Sequence, residues 1–272
     1  MIESFNTGMI PSKVRIAQLA KYIDHSLLHP TMTDKDLEEG CLVALKYNTA
    51  SVCIKPYAVR KAATLLLSSD VAVCTVIGFP HGSNTESTKV SETIEACKNG
   101  ATEIDMVVNI GKVIGADWEY VSNEISAIHV ACKNNGALLK VIFENDYLNT
   151  DQKIKLCEIC SEVGVAFVKT STGYGYVKQE NGMFLTRGAT LEDISLMRKH
   201  SAPEVKIKAA GGIRTLNDML KAIDAGATRI GATATAFILE SVASHSASPI
   251  ANESVQNKEG EKNEPGDVSF DY

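Results

Sequence analysis

The strongest constraint on the fold is an alternation. Short runs rich in Val and Ile give way to longer segments with apolar residues at helical spacing, and the pair recurs about every 25 to 40 residues. Eight candidate strands follow: Tyr22–Asp24, Ser51–Ile54, Val71–Ile77, Glu103–Val107, Leu138–Glu144, Phe167–Lys169, Lys206–Lys208 and Arg229–Gly231. Helical patterns between them include Asp34–Lys46, Thr85–Lys98, Glu119–Lys133, Asp151–Glu162, Leu191–Arg198 and Leu216–Ala225, several opened by a capping Asp or Thr. Eight such units in about 220 residues predict an α/β fold closed into a single (β/α)8 TIM barrel, rather than an open sheet.

Three strands are introduced by nearly the same phrase, NGATEIDM at 99–106, VGVAFVKT at 163–170 and AGATRIGA at 225–232. Each reads as a helix ending at Gly, which takes the left-handed cap and turns the chain back into the next strand. The recurrence predicts one repeating domain over residues 1–242, with a short N-terminal helical extension, and a polar, flexible C-terminal tail over 243–272. That tail carries six acidic and two basic side chains from residue 251 onward, yet ends in Phe270-Asp271-Tyr272.

A net charge of −6 excludes a protein whose task is to neutralise nucleic acid or an anionic membrane, so any phosphate site has to be local. The seven cysteines are odd in number and mostly embedded in apolar runs, as reduced core thiols are. Cys157 and Cys160 form a C-x-x-C inside a helical pattern, with no second pair to complete a zinc site. No basic stretch followed by an apolar run opens the chain and no window approaches 18 apolar residues, which makes the cytosol the expected address.

In such a barrel the chemistry gathers at the carboxyl ends of the strands, so a polar residue at the end of an apolar strand is informative. Asp105 lies within TEIDMVVNIG, Glu144 ends LLKVIFEN, Lys169 ends VAFVKTSTG and Lys208 ends EVKIKAAGG. A lone lysine there commonly snorkels to solvent. Two on consecutive strands, each followed by small or hydroxylic residues, point instead to chemistry. Neighbouring ammonium groups raise the cost of double protonation, and a neutral lysine is the nucleophile of Schiff-base reactions. Asp105 is placed to hold the second lysine charged and to move protons. Lys140 is grouped with the substrate-binding residues as an interior cation of the same network, structural pairing being the favoured role for it and for Lys206. Gly211 and Gly212 of KAAGGIRT, with Gly231 and Thr233 after the eighth strand, fit a backbone phosphate site near the last two loops.

Taken together, YIDHSLLHP, SVCIKP, VIGFPHG, GATEIDMVVNIG, LKVIFEN, FVKTSTGYG and KAAGGIRT, in this order from about residue 13 to 240, resemble the deoxyribose-phosphate aldolases, a family of class I (β/α)8 aldolases. The resemblance implies a lyase of deoxyribonucleotide catabolism, with reversible cleavage of 2-deoxy-D-ribose 5-phosphate into D-glyceraldehyde 3-phosphate and acetaldehyde and no metal or other cofactor. By motif position it implies that Lys169 forms the Schiff base and that Lys208 and Asp105 tune and relay protons. Asp24, Ser26 and Cys53 would line the substrate cavity, and Thr172, Gly211, Gly212, Gly231 and Thr233 would hold the phosphate. Expected partners are the small phosphosugar and aldehyde substrates and a second copy of the chain in a homodimer, with neither nucleic acid nor membrane. Some members have a flexible tail ending in tyrosine, which gives Tyr272 an implied part in proton transfer. The chain departs from the family at Ala234, where a second small hydroxylic residue is common, at Tyr174, where some members carry a phosphate-binding lysine, and at Lys55.

The competing chemistry is a metal-dependent aldolase, for which His25, His29 and His81 would have to converge at the barrel mouth. Their spacing matches no metal motif, and polar or capping roles are favoured. The alternative of another class is a non-catalytic phosphosugar-binding barrel, which would not need Asp105 and two strand-end lysines.

Overall fold

The computed structural model describes residues 12–245. In chain order the elements are α1 (Ser12–Ala20), β1 (Ile23–Leu27), α2 (Asp34–Tyr47), β2 (Ser51–Ile54), α3 (Val59–Leu66), β3 (Ala72–Ile77), α4 (Glu86–Lys98), β4 (Glu103–Val107), α5 (Ile110–Ile114), α6 (Trp118–Asn134), β5 (Leu138–Ile142), α7 (Thr150–Val163), β6 (Phe167–Lys169), β7 (Val177–Lys178), β8 (Phe184–Leu185), α8 (Leu191–His200), β9 (Lys206–Ala210), α9 (Leu216–Asp224), β10 (Arg229–Ala232) and α10 (Thr235–His245). Eight parallel strands close in the order β1-β2-β3-β4-β5-β6-β9-β10, and β1 meets β10 through Ile23–Ile230 and Asp24–Gly231. The fold is the TIM barrel the alternation predicts, with α1 as its N-terminal extension. Strands β7 and β8 form a separate two-stranded antiparallel ribbon in the loop after β6.

The repeated phrases do what their glycines predict. Gly100, Gly164 and Gly226 have φ of 108°, 78° and 115°, in the left-handed region where only glycine is unstrained. The helix starts are equally local: Thr33, Asn149 and Thr215 each form a reciprocal capping box with Asp36, Gln152 and Asp218.

Period-two alternation sorts each barrel strand into two populations. Ile104 and Met106 of β4, Leu139 and Val141 of β5, and Ile207 and Ala209 of β9 join one apolar shell with helix residues such as Ile125, Leu156 and Met219. Each of the larger of these side chains contributes about 1.5–3 kcal/mol by leaving water. The intervening residues, Glu103 and Asp105, Lys140, Lys208, have the opposite character and meet inside the barrel.

Several bounds differ from the sequence expectation, four of them with consequences. Strand β1 continues to Leu27 and β9 to Ala210, so Lys208 lies within its strand rather than at its end. Strand β5 stops at Ile142, because Glu144 takes φ 58° and ψ 64°, which no extended strand can include. Helix α10 runs to His245, past the expected start of the tail at 243. The rest of that tail, Tyr272 included, lies outside the described residues. Among the described residues no helix is long and apolar enough to cross a membrane.

Candidate active site

Seven charged side chains from six strands fill the middle of the barrel. Asp105 on β4 is the hub: its Oδ2 accepts Lys169 Nζ at 2.8 Å and Lys208 Nζ at 2.7 Å, while its Oδ1 lies 3.1 Å from Lys140 Nζ. Lys208 also reaches Asp24 Oδ2 at 2.5 Å, and Lys140 reaches Asp24 Oδ2 at 2.9 Å and Glu103 Oε2 at 2.6 Å. Arg229 Nη1 closes the network at the strand starts, 2.5 Å from Asp24 Oδ1 and 3.1 Å from Glu103 Oε2. The strand registers make this possible: Asp105 pairs with Lys140 across β4–β5, and Lys169 with Lys208 across β6–β9.

The electrostatics follow from burial and from the count of charges. Burial by itself would raise the Asp105 carboxyl, but Lys140, Lys169 and Lys208 outweigh it and hold the group well below the usual carboxylate range. Asp24 is driven down in the same way by Lys140, Lys208 and Arg229. Burial would deprotonate Lys208 and Lys140, yet Asp105 and Asp24 push both above the ordinary lysine range. Four cations face three carboxylates, one positive charge in excess when all are ionised. Lys169 makes one carboxylate contact, Lys208 two and Lys140 three. Releasing the Lys169 nitrogen for attack therefore breaks the fewest ion pairs and removes the excess charge.

Lys169, Lys208 and Asp105 are thus brought into mutual contact. Lys140 and Asp24 are placed differently from the expectation of substrate contact. Lys140 Nζ pairs with Asp24, Glu103 and Asp105 and donates to Asp24 Oδ2 and to Cys74 Sγ, while Asp24 accepts from Ser51 Oγ at 2.6 Å, from Arg229 and from Lys140 and pairs with Lys208. Both are fully enclosed and form the ionic floor beneath the site. Gly231 lies inside β10, where a Cβ would crowd Ala210 Cβ at 3.0 Å. Among the described residues Lys206 pairs with no carboxylate, and its Nζ lies 5.6 Å from the centre of the Phe167 ring.

Cys53 Sγ lies 4.0 Å from Asp105 Oδ2 and packs with Cys74 and Val76, flanked by Leu28 and Phe79, as an apolar wall opposite the lysines. Ser26, half-buried, follows Asp24 by two on the inward face of β1. Gly211 and Gly212, with φ of 92° and 79°, form the loop after β9, and exposed Thr233 follows the adjacent β10. The two expected phosphate loops are therefore neighbours. Gly188 packs backbone to backbone on Gly211, where a Cβ would come within 2.7 Å, and Ala189 N–H donates to the Gly211 carbonyl at 3.1 Å. Thr172, buried in the loop after β6, donates its backbone N–H and hydroxyl to Glu144.

Several participants escaped the sequence reading. Glu103 shares an inward face with Asp105 by period two, a signal present in TEIDM. Arg229 and Cys74 gave none, one standing at a strand start and the other inside an apolar run. Lys55 now has a local role, donating to the carbonyls of Met32 at 2.8 Å and Pro30 at 3.3 Å and so holding the loop after β1. The histidines do not converge. His25 is buried against Thr235 Oγ1 at 2.8 Å and burial pushes it down to about 4, while His29 bonds Thr31 within its own loop. Two ligand-like groups do occur among the described residues, Cys53 with Cys74 and Asp105, and Asp24 with Cys74 and Glu103. Their carboxylates already hold ammonium groups, which would repel a metal cation. Burial, then Cys53 and Asp105, keep the Cys74 thiol protonated.

A family model described as DeoC/LacD family aldolase matches residues 18–241. The chain is 47% identical over 221 residues to the deoxyribose-phosphate aldolase of Rhodopirellula baltica, covering 81% of this chain and 88% of that one. It is 48% identical over 229 residues to that of Clostridium perfringens strain 13, covering 84% and 97%. Among solved structures, the tetrameric deoxyribose phosphate aldolase from Aeropyrum pernix superposes with a TM-score of 0.75 at 29% identity, covering 86% of this chain and 96% of that one. With the ionic centre and the closed barrel, these matches place the chain in the DeoC/LacD aldolase family.

Proposed function

We propose that this protein catalyses the reversible aldol cleavage of 2-deoxy-D-ribose 5-phosphate to D-glyceraldehyde 3-phosphate and acetaldehyde through a Schiff base on Lys169. The observation that carries the assignment is the pattern of contacts: of the three lysines inside the barrel, Lys169 alone can be freed at the loss of a single ion pair, at the carboxyl end of its strand.

The neutral amine adds to the open-chain substrate carbonyl, and the carbinolamine loses water to give an iminium. The iminium accepts the electrons of the breaking carbon–carbon bond as the neighbouring hydroxyl loses its proton and becomes the aldehyde of glyceraldehyde 3-phosphate. Protonation of the resulting enamine and hydrolysis return acetaldehyde and the free lysine. Asp105 touches Lys169 and is the group within reach to carry protons. Lys208, held charged by two carboxylates, keeps positive charge beside the amine and disfavours a second ammonium. The adjacent loops at Gly211–Gly212 and Thr233 would take the phosphate.

Borohydride reduction in the presence of acetaldehyde, followed by mass spectrometry, tests the assignment. An ethyl group on Lys169, absent in Lys169→Arg while the fold persists, is expected. An adduct on Lys208 reverses the roles. Inhibition by a chelator with no adduct on either lysine overturns the reading.

A further inference from the structure

Glu144 is one of the polar residues that the sequence places at the end of the fifth strand, and the reaction above gives it no part. Its backbone occupies the left-handed region at φ 58°, a conformation costly for a residue with a side chain and one that persists where surrounding contacts enforce it. The enforcing contacts run to the segment that follows Lys169. Phe143 N–H donates to the Lys169 carbonyl and Asn145 N–H to the Thr170 carbonyl, both at 3.0 Å, so Glu144 is pinned on either side.

The turn buries the Glu144 side chain to 1% exposure and aims its carboxylate at Thr172. Thr172 N–H donates to Oε1 at 3.2 Å and Oε2 at 3.3 Å, and the Thr172 hydroxyl donates to Oε2. Gly175 completes the fit, since a Cβ there would meet Glu144 Cδ at 2.8 Å. A threonine hydroxyl has one hydrogen and two lone pairs. The hydrogen goes to Glu144, and one lone pair accepts Tyr174 N–H at 2.9 Å. What is left is a single acceptor position, three residues beyond the reactive lysine.

We propose that Glu144 is a positioning residue: by taking the Thr172 hydrogen it fixes that hydroxyl as an acceptor, so that the site selects an acceptor aldehyde whose own hydroxyl can donate to it. This rests on the Schiff-base reading and adds to it a source of discrimination between phosphoaldehydes. Glyceraldehyde 3-phosphate carries such a hydroxyl next to its carbonyl, and 3-oxopropyl phosphate is the same molecule without it.

The test compares kcat/KM for condensing acetaldehyde with each of these two acceptors, with borohydride trapping by acetaldehyde alone as the control on the donor half. The wild-type protein is expected to favour the hydroxylated acceptor by about tenfold or more, the scale of one hydrogen bond to a buried group. In Glu144→Gln the amide can turn its NH2 toward Thr172 Oγ1 and release the hydroxyl hydrogen, so the preference falls toward unity while Lys169 is still trapped. General loosening of the loop would lower both acceptors together and leave their ratio alone. Thr172→Val, which keeps the bulk and loses the hydroxyl, is expected to lose the same preference and serves if Glu144→Gln does not fold. A preference retained in either folded variant overturns the proposal, with the Schiff base untouched. Failure to trap Lys169 in the wild-type protein overturns the reading beneath it and this proposal with it.

Discussion

The barrel interior and the helical shell each bury ionic groups, and the two respond to burial in opposite ways. In the shell, Lys89 of α4 and Glu124 of α6 form a fully enclosed pair at 2.8 Å. Burial lowers Lys89 and raises Glu124, and their mutual attraction does not restore either to its ordinary value. In the interior, the same desolvation is outweighed, and Asp24, Asp105, Lys140 and Lys208 are all held more firmly charged than in water. The difference is one of number. A lone pair offers each charge one partner, whereas each interior group has several within about 3 Å, so Coulomb terms accumulate while the desolvation of each group is incurred once. The shell pair fastens structure: Lys89 Nζ donates to the Val107 carbonyl at 2.8 Å, and Glu124 accepts Asn109 N–H at 3.0 Å, tying α4 and α6 to the end of β4. The interior network instead surrounds Lys169 with groups held firmly charged.

The largest way to break this contrast is Asp105→Asn, which removes the one carboxylate shared by Lys140, Lys169 and Lys208. Turnover is expected to fall by roughly 100-fold or more as proton transfer fails. Stability should fall by about 3–5 kcal/mol, because buried ammonium groups lose a partner. Single-turnover kinetics and urea unfolding measure the two effects, and near-normal turnover would remove Asp105 from the mechanism. In the shell, Lys89→Met strands Glu124 and should also cost about 3–5 kcal/mol, most of it recovered in Lys89→Met/Glu124→Leu. Turnover per folded molecule should change far less than in Asp105→Asn. A double variant no more stable than the single one would mean that the pair does more than fasten helices.

A smaller effect is expected from Lys208→Leu. With the neighbouring cation gone, the acidic limb of the kcat/KM profile should move to higher pH, since one nearby positive charge fewer opposes a protonated nucleophile. An acidic limb in its original place would leave Lys208 with a structural part alone.

The architecture was legible because its signals are local. Buried strands alternate with helical patterns at a steady interval, and the three helix-ending glycines repeat within the same phrase. Lys169, Lys208 and Asp105 stood out for a related reason, as charges set in apolar strands. What stayed hidden depends on closure. Arg229 meets Asp24 205 positions away only because β10 pairs with β1, and no periodicity encodes that contact. The ribbon of β7 and β8 has two residues per strand, too few to alternate. Glu144 showed its charge but not its left-handed turn, which arises from the fit of Thr172 and Gly175 against it.

The finest test of the contrast is the pH dependence of stability, where the two regions should pull in opposite directions. Asp24 and Asp105 have depressed values in the folded protein, so their contribution is present above the unfolded carboxylate value near 4 and is lost as pH falls through the lower folded values. Glu124 is raised above 4.5. Between its folded value and 4.5 the native protein holds a proton that the unfolded chain does not, so its contribution grows as pH falls through that window. Removing the shell pair removes this opposing slope. Between pH 7 and 4.5 the depressed carboxyls contribute no slope, so unfolding free energies from urea should rise with falling pH in the wild-type protein relative to Lys89→Met/Glu124→Leu, by at most the slope of one proton, about 1.4 kcal/mol per pH unit. Coincident slopes would mean that Glu124 titrates alike in the folded and unfolded chain, with Lys89 offsetting its burial in full, and the contrast with the barrel centre would lose its sign.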